Sequence, residues 1–467
     1  MPSLPEPAPS PLFAPPPVSE LAAVASARAA ARAFARREVA PRALRVHREA
    51  GGPHALGAID WAFVRAARDA GLLWGLVPGA LGGGGRRSSE LAAETEELCA
   101  ACGGLGLLLG ANSLGLAGPL FALDADVWWR VVAPAARDRS APRPPLFAWA
   151  ITESGSGTEV QDARGMGFVR APLRATRVPG GYRLDGRKVF TSNGSVARHV
   201  CVHAAIDGSS ALEGWTAFVV DTRTPGFTAV RDEHKLGQRA SPATEIAFEG
   251  VHVPTRDRLG SEGAGFALTE LILAASRGPV GAIAIGIARG ALEAAIGATR
   301  RLRPEHPCSV AQPWVRDRIG DASMKLAAGR LAYLDATSGF DRDLMPPARI
   351  EPVALHAARL AAGVVPSAAL KRASGKLLDA LFLRIYGDGS LAAQLCRASS
   401  AKALCADLAM EVCDRMCELV PPDAPERELV DKALCDVKLT QIYEGTNQLN
   451  RLTVADVVLG RRPAPRA

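Results

Sequence analysis

The chain has 467 residues, 48% hydrophobic and 22% charged, with a formal net charge of +7. That balance is expected of a soluble globular protein of two or three domains. The charge is modest and dispersed and only 5% of residues are aromatic, which argues against a nucleic-acid-binding protein but suits an anionic ligand.

Met1 to Val18 is proline-rich and lacks the basic and apolar regions of a signal peptide, so a disordered tail is expected. Residues 19–143 read as a helical domain rich in Ala, Leu, Arg and Glu, broken by a turn-rich loop from Val77 to Gly85. Within it, Leu105 to Leu123 carries no charge but holds four glycines and Pro119, which predicts two short buried helices rather than a membrane span. Residues 144–258 change to short β-type runs such as LFAWAIT, GYRLDGRKVF and WTAFVVD, separated by Gly/Pro turns. Residues 259–460 are helical again, and 461–467 form an Arg/Pro tail. This order predicts an α+β protein: an N-terminal helical domain, a small middle β-barrel or sandwich, and a C-terminal helical bundle. A stretch at about 340–396, with Pro346-Pro347, Val365-Pro366 and a Tyr386–Gly389 turn, reads as a helical hairpin or lid inserted into that bundle.

Nine cysteines are present. Cys99/Cys102 and Cys413/Cys417 have helical spacing, and neither pair is joined to a second Cys/His pair at zinc-ligand distance. Buried thiols in a reducing cytoplasm are expected, with no metal site.

One stretch near the C-terminus has chemical potential. In DVKLTQIYEGTNQLNR, Asp436 to Arg451, Gly445 ends one helical pattern and Thr446 or Asn447 can cap the next. Glu444 therefore falls at a helix junction. There it is either a fixed, partly buried carboxylate suited to general-base work or a capping, solvated glutamate.

Four stretches in order carry a resemblance. They are FAWAITESGSGTEVQ from Phe147, GRKVFTSNG from Gly186, KLGQRASPATEIAFEGVHVPTRDRLGSEGAGF from Lys235, and the final YEGTNQLNR. On a helix–β–helix layout they resemble the acyl-CoA dehydrogenase family, over about Leu21 to Leu459. The resemblance implies a flavoenzyme that uses FAD to oxidise a saturated acyl thioester to its trans-2-enoyl form. It makes Glu444 the base that removes the α-proton, while the β-hydrogen leaves as hydride. In relatives whose base lies elsewhere, it is carried by the helix that here holds Ser276-Arg277. Ser276 cannot serve, and Arg277 matches the family's arginine beside that position. By the same resemblance Trp149, Ile151 and Thr152 lie along the flavin edge, and Thr158 near flavin and thioester. Phe190 replaces a stacking tryptophan and Ser192 a hydrogen-bonding threonine, while Thr446 and Gln448 approach the cofactor. The implied partners are an acyl-CoA or acyl-carrier thioester, an electron-transfer flavoprotein or similar acceptor, and other subunits in a homo- or hetero-oligomer.

The chain departs from the family at two places. Where relatives have Arg-x-x-Phe-Gly it reads RRLRPEHPCS, Arg300 to Ser309, and where they have Gly-Gly-x-Gly it reads ELVPPDAPE, Glu418 to Glu426. In relatives both elements cross a subunit interface to the flavin's diphosphate and adenosine. The usual Arg-Asp ahead of the base is Cys435-Asp436. Two alternatives follow: an accessory subunit of a heteromeric dehydrogenase, or a flavin monooxygenase on the same fold.

Overall fold

A computed structural model describes residues 22–49, 55–169, 173–345 and 367–461. The expected tail at 1–18, and all of the expected tail at 461–467 except Arg461, lie outside these residues. The architecture has helices to about residue 137, strands from Leu146 to Leu259, and helices from Gly265 to Val458.

The C-terminal region is built on one helix of 37 residues, Gly265–Arg301. It is apolar on nearly all sides because other elements cover every face. Helices Pro313–Asp343 and Ser390–Leu419 pack along it within the bundle, and Ser88–Ala101 packs on it from the N-terminal domain. That last contact requires glycine. A Cβ at Gly286 would meet the Glu96 carbonyl oxygen at 2.5 Å, and one at Gly290 the Ala100 carbonyl oxygen at 2.1 Å. The two backbones therefore touch, and the buried acidic pair Glu96-Glu97 comes with them.

These carboxylates sit among buried arginines from three other helices. Glu96 receives Arg28 at 3.0 Å, Arg289 at 3.0 Å and Arg330 at 2.9 Å, and a hydrogen bond from the Tyr333 hydroxyl. Glu97 binds Arg289 at 2.8 Å and Arg32 at 3.0 Å. Burial opposes ionisation of Glu96, but Arg330, Arg28 and Arg289 outweigh it and hold the carboxyl well below the usual range.

The middle region is one mixed eight-stranded sheet. Its strands are β1 (Leu146–Ala150), β2 (Arg174–Val178), β3 (Gly181–Ser192), β4 (Ala197–Ile206), β5 (Trp215–Asp221), β6 (Phe227–Asp232), β7 (Ala243–Pro254) and β8 (Arg258–Leu259). Their order is β6-β7-β3-β2-β4-β5-β8, with β1 parallel to β4. Val200, Val202, Phe218, Ile246 and Phe248 form its separate core. The β3–β7 register slips between Lys188 and Thr191, and Phe190 there has φ 54°. This bulge turns Phe190 out of the ladder.

Two expectations are corrected. Leu105–Leu123 does not make two short helices; Gly103–Phe121 is continuous, with Pro119 near its C-terminal end. Its glycines permit close packing on β1, where a Cβ at Gly115 would lie 2.4 Å from the Ala148 nitrogen. This helix and Gly265–Arg301 are long and apolar enough to cross a membrane, but 78% and 83% of their apolar windows are buried inside the protein.

The second correction concerns 340–396, which is no detachable hairpin at its ends. Phe340 belongs to the last turn of Pro313–Asp343 and is buried, as are Leu391 and Leu395 in the first turns of Ser390–Leu419. Residues 346–366 lie outside the described residues. Helix Ser367–Gly387 is pinned by Leu378, Phe382 and Ile385 in the main core, and by Lys371, which donates to Asp124 and to the Arg258 carbonyl. The prolines and glycines of this stretch mark turns without telling which flanking helix is buried.

Removing Glu96 leaves several buried guanidinium groups without their shared counter-charge. Glu96→Ala is expected to cost about 3–5 kcal/mol of stability, measured as a lowered urea midpoint. A change under ~1 kcal/mol would show that these ion pairs are dispensable.

Candidate active site

A cavity of about 440 Å³ lies where helices Ser88–Ala101, Gly103–Phe121 and Gly265–Arg301 meet the edge of the sheet. Much of its wall is leucine and isoleucine. Trp149, Ile151, Thr152, Thr158, Phe190, Ser192, Glu444 and Thr446 all line it. The structure thus gathers eight of the ten residues singled out from the sequence.

Glu444 stands on an unusual backbone. Its φ is +57° and that of Gly445 is +81°, two left-handed residues in succession. A non-glycine residue held there costs of order 1–3 kcal/mol unless its surroundings enforce it. Here buried side chains take the carbonyl oxygens that the turn exposes. Arg277 Nε donates to the Glu444 oxygen at 3.1 Å, and Lys402 Nζ to the Gly445 oxygen at 2.8 Å. Asn450 Nδ2 also donates to Gly445 at 2.9 Å, and the Thr446 hydroxyl caps the following helix at the Leu449 nitrogen. The turn is therefore clamped from below, and the Glu444 carboxyl is fixed in the cavity wall.

Its charge state is contested by burial and three neighbours. Burial raises the carboxyl pKa; the hydrogen bond from Ser276 and the charges of Arg277 and Lys402 lower it, and the net direction is upward. Ser276 Oγ donates to Oε2 at 2.7 Å. Among the described residues no side chain donates to Oε1, which is left for a ligand. Lys402 is itself pushed down to about 7, by burial and then by Arg277, against the pull of Glu444 and Asp407.

The sheet edge supplies the opposite wall. The Phe190 ring is 62% exposed, an aromatic face presented on strained backbone. Lys188 Nζ, wholly buried, donates to the Ile151 carbonyl at 3.0 Å and to Glu153 at 2.6 Å, which fixes the Ile151-Thr152 segment. The Trp149 indole nitrogen is buried without a partner.

Two of the ten residues fall elsewhere. Arg277 is 1% exposed and lies beneath the turn, with further bonds to Ser399 at 2.8 Å and Gln161 at 3.4 Å. It supports Glu444 rather than facing the cavity. Gln448 is exposed in the first turn of helix Asn447–Val458 and does not line the cavity. Sequence reasoning missed Lys402 and dismissed Ser276. Lys402 had one signal, a lone cation among Ala401, Ala403 and Leu404; Ser276 as a donor had none.

Lys402 generates a pH test. A lysine with a native pKa of about 7 and an unfolded value near ~10.4 binds fewer protons native than unfolded between those limits. Stability at this site therefore rises with pH, by up to ~1.4 kcal/mol per unit. Relative to Lys402→Met, the wild type is expected to gain unfolding free energy as pH is raised from about 7 to 9. A difference that stays flat in denaturant titrations across that window would show that Lys402 remains charged.

Comparison with known proteins fits this geometry. Models of the acyl-CoA dehydrogenase N-terminal, middle and C-terminal domains match residues 24–123, 148–251, and 263–370 with 383–459. The interruption at 371–382 falls within helix Ser367–Gly387. Cyclohex-1-ene-1-carbonyl-CoA dehydrogenase of Geobacter metallireducens is 31% identical over 433 residues, covering 92% of this chain and 96% of its own. Butyryl-CoA dehydrogenase of Megasphaera elsdenii superimposes with a TM-score of 0.74 at 23% identity, over 94% of this chain and 99% of that one. An acyl-CoA dehydrogenase of Bacillus anthracis complexed with FAD gives 0.73 at 21%, over 95% and 69%. With all three domains matched in order and a relative 31% identical over nearly the whole chain, the chain belongs to the acyl-CoA dehydrogenase family of oxidoreductases acting on CH–CH groups.

Proposed function

We propose that this protein is an FAD-dependent acyl-thioester α,β-dehydrogenase in which Glu444 removes the α-proton. The observation that carries the reading is a carboxyl held on a clamped left-handed turn, with one oxygen engaged by Ser276 and the other directed to an apolar cavity. An α-proton of a thioester is weakly acidic, so its removal needs a positioned base of raised basicity. Burial provides that basicity, and the hydrogen bond from Ser276 with the charges of Arg277 and Lys402 restrains it.

The residues opposite Glu444 fit the ring of FAD. Phe190 offers an exposed aromatic face, Thr152, Thr158 and Ser192 offer hydroxyl groups, and Trp149 an unpartnered N–H. When bound there, FAD supplies the acceptor for the β-hydrogen as hydride. The side chains of this wall then hold substrate between acceptor and base, and the surrounding leucines exclude water. The acyl group rides on coenzyme A or a carrier protein, and an electron-transfer flavoprotein or similar acceptor reoxidises the enzyme. All nine cysteines are free, which supports a reducing cytoplasm.

The other end of the cofactor site is altered. Pro421 is buried at the end of helix Ser390–Leu419, and Arg427 Nη1 closes the loop by donating to Cys417 and Val420 oxygens at 3.1 and 3.2 Å. Arg301 pairs with Glu426, so the two departing stretches bind each other. Proline nitrogen donates nothing to a phosphate, and Glu426 repels one.

Glu444→Gln keeps the shape of the site and removes the base. It is expected to bind thioester while flavin reduction slows at least ~100-fold; reduction at a wild-type rate in anaerobic stopped flow would sink the assignment. The altered loops lead to a second expectation. Losing two or three phosphate contacts at ~1.5–3 kcal/mol each leaves the isolated protein with substoichiometric FAD. Added FAD, or a homologous partner subunit that contributes the missing loops, raises occupancy. The measurement is the flavin-to-protein ratio after gel filtration, and a tight one-to-one FAD in the homo-oligomer would refute it.

A further inference from the structure

The cavity wall contains a carboxyl that proton abstraction does not use. Glu94 lies on helix Ser88–Ala101, is 3% exposed, and lines the cavity between Leu91 and Leu98 on the same helical face. It is remote from Glu444. Gly286 lies against Glu96 and Gly290 against Ala100, so the two helices run in step and Glu94 stands level with Ile283. Ile283 also lines the cavity, seven residues beyond Ser276, or roughly 10 Å along the helix axis. Glu94 therefore faces the part of a ligand distant from the reacting carbons.

The protein leaves this carboxyl incompletely satisfied. Oε1 forms an ion pair with Arg86 Nε yet is buried without a hydrogen-bond partner, since Arg86 spends Nη1 on the Gly71 carbonyl at 3.1 Å and makes no two-pronged pair. Among the described residues no group donates to Oε2. Ser88, at the N-terminal end of the same helix, also lines the cavity, and its buried hydroxyl has no hydrogen-bond partner. Thr95 differs, since its hydroxyl donates to the Leu91 carbonyl at 2.7 Å. A buried polar atom left unpaired costs about 1–3 kcal/mol, so an all-leucine wall would be the better container for a plain alkyl chain.

Charge narrows the group that belongs there. An ammonium would meet Arg86, and a carboxylate would have to compete with Glu94 for Arg86. A neutral hydroxyl meets neither objection and both donates and accepts. Burial pushes Glu94 up to about 8 despite Arg86, so near neutral pH its carboxyl also both donates and accepts.

Resting on the dehydrogenase reading above, we infer that the cavity accepts a thioester whose acyl group carries a hydroxyl away from the reacting carbons, with Glu94 as the specificity-determining residue.

The test compares a series of hydroxyacyl-CoA thioesters with unsubstituted acyl-CoAs of matched length, in wild type, Glu94→Met and Glu94→Gln. The best hydroxylated member is expected to exceed its alkyl counterpart in kcat/KM by at least ~10-fold in wild type, or about 1.4 kcal/mol. Glu94→Met, similar in length but apolar, is expected to erase or invert that ratio, and Glu94→Gln to retain a preference. Binding of the same pairs is measured by calorimetry, which needs no turnover. Selective binding without flavin reduction would defeat the dehydrogenase reading and keep this one. Turnover of alkyl thioesters with no hydroxyl preference in wild type, or a ratio unmoved by Glu94→Met, would overturn this inference and keep the other. The wild-type ratio decides the question even if the methionine variant does not fold.

Discussion

The contact between helix Ser88–Ala101 and the long helix Gly265–Arg301 is the constraint on which this structure rests. It is a backbone-to-backbone approach, possible because residues 286 and 290 have no side chain. Glu96 and Glu97 are carried by it into the interior, where Arg28, Arg289 and Arg330 must follow. Neither half is stable alone: the carboxylates without arginines would be buried unpaired charges, and the arginines likewise. The network thus fastens the N-terminal domain to the bundle in one geometry. The cavity lies on another face of the same two helices, bordered by Glu94 from one and Ser276 from the other.

The bundle holds the Glu444 carboxyl at a particular angle in a similar way. A left-handed glutamate followed by a left-handed glycine is a high-energy turn with two carbonyls facing inward. Arg277 and Lys402 meet those carbonyls from two different helices. The same cations pull the pKa of Glu444 down while burial pushes it up. Holding the backbone and tuning the acid are therefore one arrangement. Moving either cation would alter the position and the basicity of the carboxyl together.

The two ends of the proposed flavin site contrast physically. The wall proposed for the ring is built from strand backbone and side chains of one chain, down to the bulge that presents Phe190. The diphosphate end depends on loops whose usual glycines are replaced, and here those loops close through Arg427 and through Arg301 with Glu426. A ligand's reactive end and its anchoring end can thus change independently, because different elements of the fold hold them.

Much of this was legible in the residues. The change from helical to alternating and back to helical periodicity locates the three regions, since apolar spacing follows directly from which face is buried. The short motifs around Trp149, Phe190 and Glu444 pointed to the lining of the cavity only through the family resemblance they carry in order, since each alone is turn and strand-end chemistry that any surface loop shares. Other features depended on packing between distant segments. That Gly103–Phe121 is one helix, that Phe340 and Leu391 are core, and that Gln448 faces outward were decided by contact with other elements. The clamp of Lys402 on Gly445 joins residues 43 apart, and the donation from Ser276 to Glu444 joins residues 168 apart. By itself the sequence determined which local structures form and which chemical groups are available. Only the tertiary structure decided which groups meet, because burial and electrostatic coupling are properties of pairs that the chain brings together after folding.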